Sequence, residues 1–519
     1  MNRIYSYDTT LRDGSQCEGV SFSCDDKLDI LKRLDAFGMD FVEGGWPGSN
    51  PRDDEFFSKA ADLDLKRTSL TAFGSTRRFG ISPEEDANLC NLAACPAEWC
   101  CIFGKSWDFQ VSEALRISLE ENLALIEDSV AFLVSKGKHV MFDAEHFFDG
   151  YRTNRDYAIE TLKAAERGGA EWAVLCDTNG GMLPGMIQKA CEDALSSIGI
   201  PIGIHCHNDS DLATANTLAA VDAGCTLVQG TVNGMGERCG NANLCTVLPD
   251  LKLKCEMDVG SIDLTGLTGL SKSIGEIANM APSPGMPFVG YRAFTHKGGM
   301  HVSALVKDPR TYEHVDPESV GNSRRILVSD MAGRASISEK LKELGLETGS
   351  DSTEITRLIK EMESKGYEFE GADASFELLV RRLRGNLRER FSVDGFRIFM
   401  DSRGTGMDSE ASVKVRGADD NVEHTAADGN GPVNALDNAI RKALERFYPE
   451  LRKIRLTDYK VRVLDEKSAT AASVRVLIRS TDGTNSWTTV GVSVNVIEAS
   501  LIALVDSMEY ALMKQEEKT

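Results

Sequence analysis

The chain has 519 residues, 42% hydrophobic and 27% charged, with a formal net charge of −22. That length predicts two or three domains, and the acidic balance argues against nucleic acid or an anionic membrane as partner, since both need a basic surface. No run of 18 apolar residues suggests a membrane span, MNRIYSYDTT has no signal-peptide core, and thirteen scattered cysteines suit a reducing cytoplasm better than a disulfide framework.

Residues 1–235 repeat a strand followed by an amphipathic helix. Strands are expected at 3–9, 40–45, 68–73, 98–103, 138–144, 171–177, 201–206 and 225–231. Apolar residues at helical spacing lie between them, as at 25–37 and 113–134. Small-residue segments in AFGMDFVEGG, RGGAEWAVLCD and DAGCTLVQGT precede three of the strands, and glycine there suits a helix C-terminus. Eight alternating units predict a (β/α)8 TIM barrel. The alternative, an open doubly wound sheet, is weakened by the absence of GxGxxG after the first strand.

Residues 262–371 alternate helical segments with Gly/Pro breaks such as APSPGMP and read as a helical linker subdomain. From 390 the pattern changes to period two. Strands are expected at 391–400, 411–417, 456–464, 472–479 and 487–494, with helices at 432–447 and 498–514. The chain therefore divides into a barrel at 1–261, a linker at 262–371 and an α+β domain at 372–519.

A barrel carries its catalytic groups at the C-terminal ends of its strands. The first strand ends in Arg12-Asp13, the second in Glu43, the fifth in Glu145-His146 and the sixth in Asp177-Thr178-Asn179. The seventh carries His205-Cys206-His207-Asn208-Asp209. His205 and His207, two residues apart on a strand, share one face and make a two-point metal clamp; two hydrogen-bonded core histidines are the alternative. Asp13 offers a carboxylate and Asn241 a neutral oxygen. Two His and one carboxylate with open positions form a catalytic pattern for Mg²⁺, Mn²⁺, Zn²⁺ or Co²⁺.

The segments TTLRDGSQ (9–16), HCHND (205–209) with Ala215-Asn216, and GTVNGMGERCGN (230–241) resemble the family of isopropylmalate, homocitrate and citramalate synthases. Residues 43–51, EGGWPGSNP, are most similar to its citramalate branch, and 372–519 resemble its C-terminal allosteric domain through DGNGPVNA (428–435) and NVIEAS (495–500). The resemblance implies a Claisen condensation of acetyl-CoA with a 2-oxo acid. The acceptor is pyruvate in the citramalate branch and 2-oxoisovalerate in the isopropylmalate branch. A hydroxyacyl-CoA lyase on the same barrel and a non-enzymatic amino-acid sensor are the remaining alternatives.

On that resemblance Asp13, His205 and His207 hold the divalent ion, with Asn241 close by. Arg12 stabilises the developing alkoxide, Glu145 and Thr178 position the oxo acid, and Thr178 touches its carboxylate. His301 and Tyr312 act on the acetyl group or thioester from the subdomain after the barrel, often in the partner's barrel, with His296 an alternative. His146 is expected to pack or support, and Glu43 to orient Arg12 or Asp13. Arg77-Arg78 and Arg324-Arg325 are candidates for a CoA rim or ordinary surface arginines. A homodimer and a branched-chain amino-acid effector, isoleucine, are also implied.

Overall fold

The computed structural model describes residues 3–327, 334–347, 349, 351–403, 406–464 and 472–517. Eight parallel strands close into a barrel in chain order. They are β1 (Tyr5–Asp8), β2 (Phe41–Gly45), β3 (Ser69–Ser75), β4 (Trp99–Lys105), β5 (His139–Glu145), β6 (Trp172–Asp177), β7 (Ile202–Cys206) and β8 (Leu227–Gly230). Every strand end lies within two residues of its expected position. The ring closes where β1 pairs with β8, Tyr5 opposite Leu227.

Alternate strand residues face opposite ways. Tyr7, Phe41, Phe73, Cys101, Met141 and Leu227 form the inner cluster. Val42, Ala72, Ile102, Phe142 and Val228 join the larger layer beneath the helices. Several of the barrel helices start at side-chain caps. Helix α1 (Cys24–Phe37) carries a capping box, Ser23 with Asp26, and α2 (Pro51–Ala60) is capped by Asn50. The expected glycine stops are present: Gly38, Gly169 and Gly224 end helices with φ of 97°, 96° and 118°, a conformation glycine adopts without Cβ strain.

The expected helix at 113–134 is shorter. Arg116 sits at φ 59° and breaks the segment, and the helix restarts at Leu119–Ser135 behind the Ser118/Glu121 capping box. The apolar periodicity crosses that break, so it does not reveal it.

Contacts group the chain into two units, Met1–Phe294 with Val315–Ser323, and Thr295–His314 with Arg324–Thr519. Residues 262–371 contribute to both, and 328–333, 348 and 350 lie outside the described residues. In the second unit, β9 (Thr295–His296) pairs in parallel with β10 (Arg325–Ile326). Two antiparallel meanders follow. One is β11 (Phe391–Arg403), β12 (Gly406–Gly417) and β13 (Val422–Gly429); the other is β14 (Arg455–Val463), β15 (Val474–Thr481) and β16 (Ser486–Ser493). Helix Pro432–Leu444 buries Ala435, Leu436, Ala439 and Ile440. Strand β13 was not expected, because its residues are exposed or half-buried and show no apolar alternation.

Candidate active site

A turn closed by Gly14 N–H to Thr9 O (3.0 Å) presents Arg12 and Asp13 just beyond β1. The Nε2 atoms of His205 and His207 lie 3.3 Å apart, and Asp13 Oδ2 is 3.5 Å and 3.9 Å from them. All three residues are buried, and their ligand atoms converge within 4.8 Å of one another. Asn241 pairs with His207 across an isolated bridge. Among the described residues, Asp13 Oδ1, His207 Nδ1 and Asn241 Oδ1 are buried polar atoms without a hydrogen-bond partner.

Burial pushes the His205 ring below its usual pKa and, helped by the neighbouring imidazole, takes His207 down to about 4. Both rings are therefore neutral at pH 7 and available as ligands. Burial also raises the Asp13 carboxyl, but Arg12 and the two imidazoles outweigh it and hold the net value below the ordinary one. One anion, two neutral imidazoles and an orphaned amide oxygen fit a divalent cation.

His205 Nδ1 donates to Gln229 Oε1 at 3.0 Å, which leaves its Nε2 lone pair directed at the cluster. Gln229 Nε2 in turn donates to Asp143 Oδ1 at 3.1 Å. Such a partner sets both tautomer and ring orientation. Gln229→Leu is expected to weaken metal affinity by about 10–100-fold in a titration against a chelating indicator. Unchanged affinity would remove Gln229 from the site.

Arg12 is held from three sides. Its Nε pairs with Glu43 Oε1, its Nη1 lies 3.4 Å from Asp13 Oδ2, and its Cζ sits 3.7 Å from the Phe73 ring centroid. Glu43 also accepts from Tyr7 OH at 2.6 Å and Thr9 Oγ1 at 2.8 Å. Of its two expected partners, Glu43 therefore takes Arg12. The cost of burying this guanidinium is offset by Glu43 and Asp13, which keep it charged.

These groups line a cavity of about 240 Å³ together with Glu145, Thr178 and an aromatic wall of Trp46, Phe73 and Phe103. Glu145 pairs with Lys105, at the end of the adjacent strand β4. Thr178 Oγ1 accepts the His146 N–H at 2.9 Å, so its own proton is available to a ligand. His146 has φ 56°, and its Nδ1 meets Asp149 at 3.0 Å. Arg238 bonds Asp209 through two nitrogens (2.8 and 2.9 Å) and donates to Thr178 O at 2.8 Å, tying together the turns after β6, β7 and β8.

The chain is 52% identical to the (R)-citramalate synthase of Geobacter sulfurreducens, over all of this chain and 99% of that one. It is 51% identical to the (R)-citramalate synthase of Aquifex aeolicus over 99% of each. The chain belongs to the (R)-citramalate synthase family. Its residues 3–274 match the HMGL-like family, 288–367 the homocitrate synthase post-HMGL domain-like family, and 370–512 the LeuA allosteric (dimerisation) domain. A probable 2-isopropylmalate synthase of Methanopyrus kandleri is more distant, at 33% identity over 97% of each chain. Like its family, the chain is an acyltransferase, and no helix among the described residues is long and apolar enough to cross a membrane.

The family's second-unit candidates form a pair of their own. The His301 and Tyr312 rings stack with centroids 4.2 Å apart, and both are exposed. His296 Nε2 meets Glu313 Oε1 at 3.1 Å, and Arg324 bonds the same carboxylate through two nitrogens. Arg77 is paired with Asp128 at 2.6 Å. Sequence reasoning had given no role to Gln229, Asp143, Lys105 or the aromatic wall. Gln229 and Asp143 left one signal, a polar residue inside an otherwise apolar barrel strand.

Proposed function

We propose that this chain condenses acetyl-CoA with pyruvate to give (R)-citramalate and CoA in a metal-dependent reaction. The observation that carries the reading is a neutral His pair and an anionic Asp beside a fixed Arg in a small cavity. Asp13, His205 and His207 would hold the divalent ion, with Asn241 beside them. When bound, the ion supplies Lewis-acid polarisation of the acceptor ketone. The Arg12 guanidinium cannot release its proton and stabilises negative charge on the ketone oxygen as the new C–C bond forms.

Thr178 donates its hydroxyl proton to the pyruvate carboxylate. Glu145, at the end of the neighbouring strand β5 and fixed by Lys105, positions the acceptor beside Thr178. The acetyl methyl proton goes to a base, and His301, stacked on Tyr312, is assigned that role, in trans in a homodimer. Imidazole chemistry suits proton transfer near neutral pH. Water then hydrolyses the citramalyl thioester and releases CoA.

The test is CoA release, followed with a thiol reagent, for pyruvate, 2-oxobutyrate and 2-oxoisovalerate. Pyruvate is the expected best acceptor. Cleavage of a 3-hydroxyacyl-CoA with no CoA release from any oxo acid would replace the synthase by a lyase. We assign residues 372–519 a sensing role with isoleucine as effector, supported by the allosteric domain type. Isoleucine is expected to inhibit CoA release by the full chain and to bind it in calorimetry, and a chain that neither binds isoleucine nor is inhibited by it would leave these residues a dimerisation role only.

A further inference from the structure

The apolar wall of the cavity is built around one side chain whose anchorage lies outside it. Trp46 stands edge-on to both Phe73 (5.6 Å, 86°) and Phe103 (5.9 Å, 83°), while the two phenyl rings stack on each other at 5.5 Å. The other groups lining the cavity are polar, apart from Cys176. A 2-oxo acid bound through its carbonyl and carboxylate must therefore turn its alkyl end toward these three rings.

Trp46 is anchored at its indole edge and at its backbone. Its Nε1–H donates to Asn88 Oδ1 at 2.8 Å, and Asn88 Nδ2 donates to Ser75 O at 2.7 Å. Asn88 belongs to helix α3 (Ala87–Ala94) and is not among the residues lining the cavity. It reaches β3 because Gly74 has no side chain; a Cβ there would lie 2.9 Å from Asn88 Oδ1 and 2.6 Å from Leu92 Cδ1. At the backbone, Trp46 N–H donates to Asp53 Oδ2 at 2.9 Å. Asp53 is held in turn by the buried Lys27, whose Nζ also donates to Gly44 O at 3.0 Å.

We infer that Trp46, clamped by Asn88, sets the size of acceptor the enzyme accepts, and that Asn88 is a positioning residue for that specificity. A ring pinned at its Nε1 edge by Asn88, on a backbone anchored by Asp53, cannot swing aside for a branched acceptor. A ring held by packing alone can. The inference rests on the synthase reading above and assigns its selectivity to one hydrogen bond.

The experiment measures kcat/KM for pyruvate and 2-oxoisovalerate in the full chain and in Asn88→Leu, Trp46→Phe, Trp46→Ala and the double variant Asn88→Leu/Trp46→Phe. A single methylene is worth roughly 10–200-fold in such discrimination. The ratio of 2-oxoisovalerate to pyruvate is expected to rise about tenfold or more in Asn88→Leu and in Trp46→Phe, and further in Trp46→Ala. Because Trp46→Phe already removes the bond to Asn88, adding Asn88→Leu to it should shift the ratio no further. A general loss of packing would instead lower both acceptors together or add in the double variant, and either result overturns the inference. If Asn88→Leu does not fold, Trp46→Phe, which keeps a ring in place, decides alone: an unchanged ratio overturns it. A parent chain that releases no CoA with any oxo acid refutes the synthase reading itself, and the inference falls with it. A parent active on pyruvate with unshifted ratios refutes only the inference.

Discussion

Asp13→Asn is expected to lower CoA release by about 10³-fold or more and to abolish metal binding. Asp13 is the one anion in the Asp13–His205–His207 cluster. Both imidazoles are neutral at working pH because burial disfavours their charged forms, so the substitution leaves a site with no negative ligand. Lewis-acid polarisation is worth several kcal/mol, and each ~1.4 kcal/mol is a factor of ten in rate. Folding should be little affected: Asp13 Oδ1 has no hydrogen-bond partner, and Arg12 keeps its pairing with Glu43. The check is metal content and turnover measured on the same sample. Chelation should silence the parent chain, and added Mg²⁺, Mn²⁺, Zn²⁺ or Co²⁺ should restore it but not the variant. Retained metal and turnover in Asp13→Asn would sink the metal site as drawn.

The barrel was legible because its strands announce themselves twice. Most are short, largely apolar runs, and three follow a glycine that ends the preceding helix in a left-handed turn. The meanders were less so. Strand β13 has no apolar face, so it is recognised by the hydrogen bonds it makes to β12 and not by its composition. Arg116 interrupts a helix without being glycine or proline, and no residue-type rule flags it.

At the site, residues that act through their own chemistry were legible, and residues that act through another side chain were not. Asp13, His205 and His207 are metal-ligand types at strand ends. Gln229 carries no chemistry of its own, and its importance appears only when its amide is seen between His205 and Asp143. Trp46 stands in the sequence only as one letter of EGGWPGSNP, and its edge-on geometry to Phe73 and Phe103 places it in the cavity. Asn88 is more remote still, forty-two residues along the chain from the ring it holds.

Arg12→Lys is the second large effect expected, and it separates two charges that stand side by side. The guanidinium does three things at once: Nε pairs with Glu43, the plane lies over Phe73, and Nη1 reaches toward Asp13. An ammonium is a point donor on a flexible stem and has no plane to stack. Paired with Glu43 it leaves the ketone oxygen unsupported, and turned toward that oxygen it strands a fully buried carboxylate. Loss of one fixed donor to an oxyanion costs about 10²–10³ in kcat, and that is the expected fall here. Metal affinity should stay near that of the parent chain, because Asp13, His205 and His207 are untouched, and KM for pyruvate should move less than kcat. Glu43→Gln should reproduce part of the loss by freeing the guanidinium that Tyr7, Thr9 and Glu43 now fix through one network. If Arg12→Lys kept kcat within about threefold at full metal loading, Arg12 would be a structural counter-ion to Asp13 and Glu43, and the negative charge of the transition state would have to be met elsewhere in the cavity.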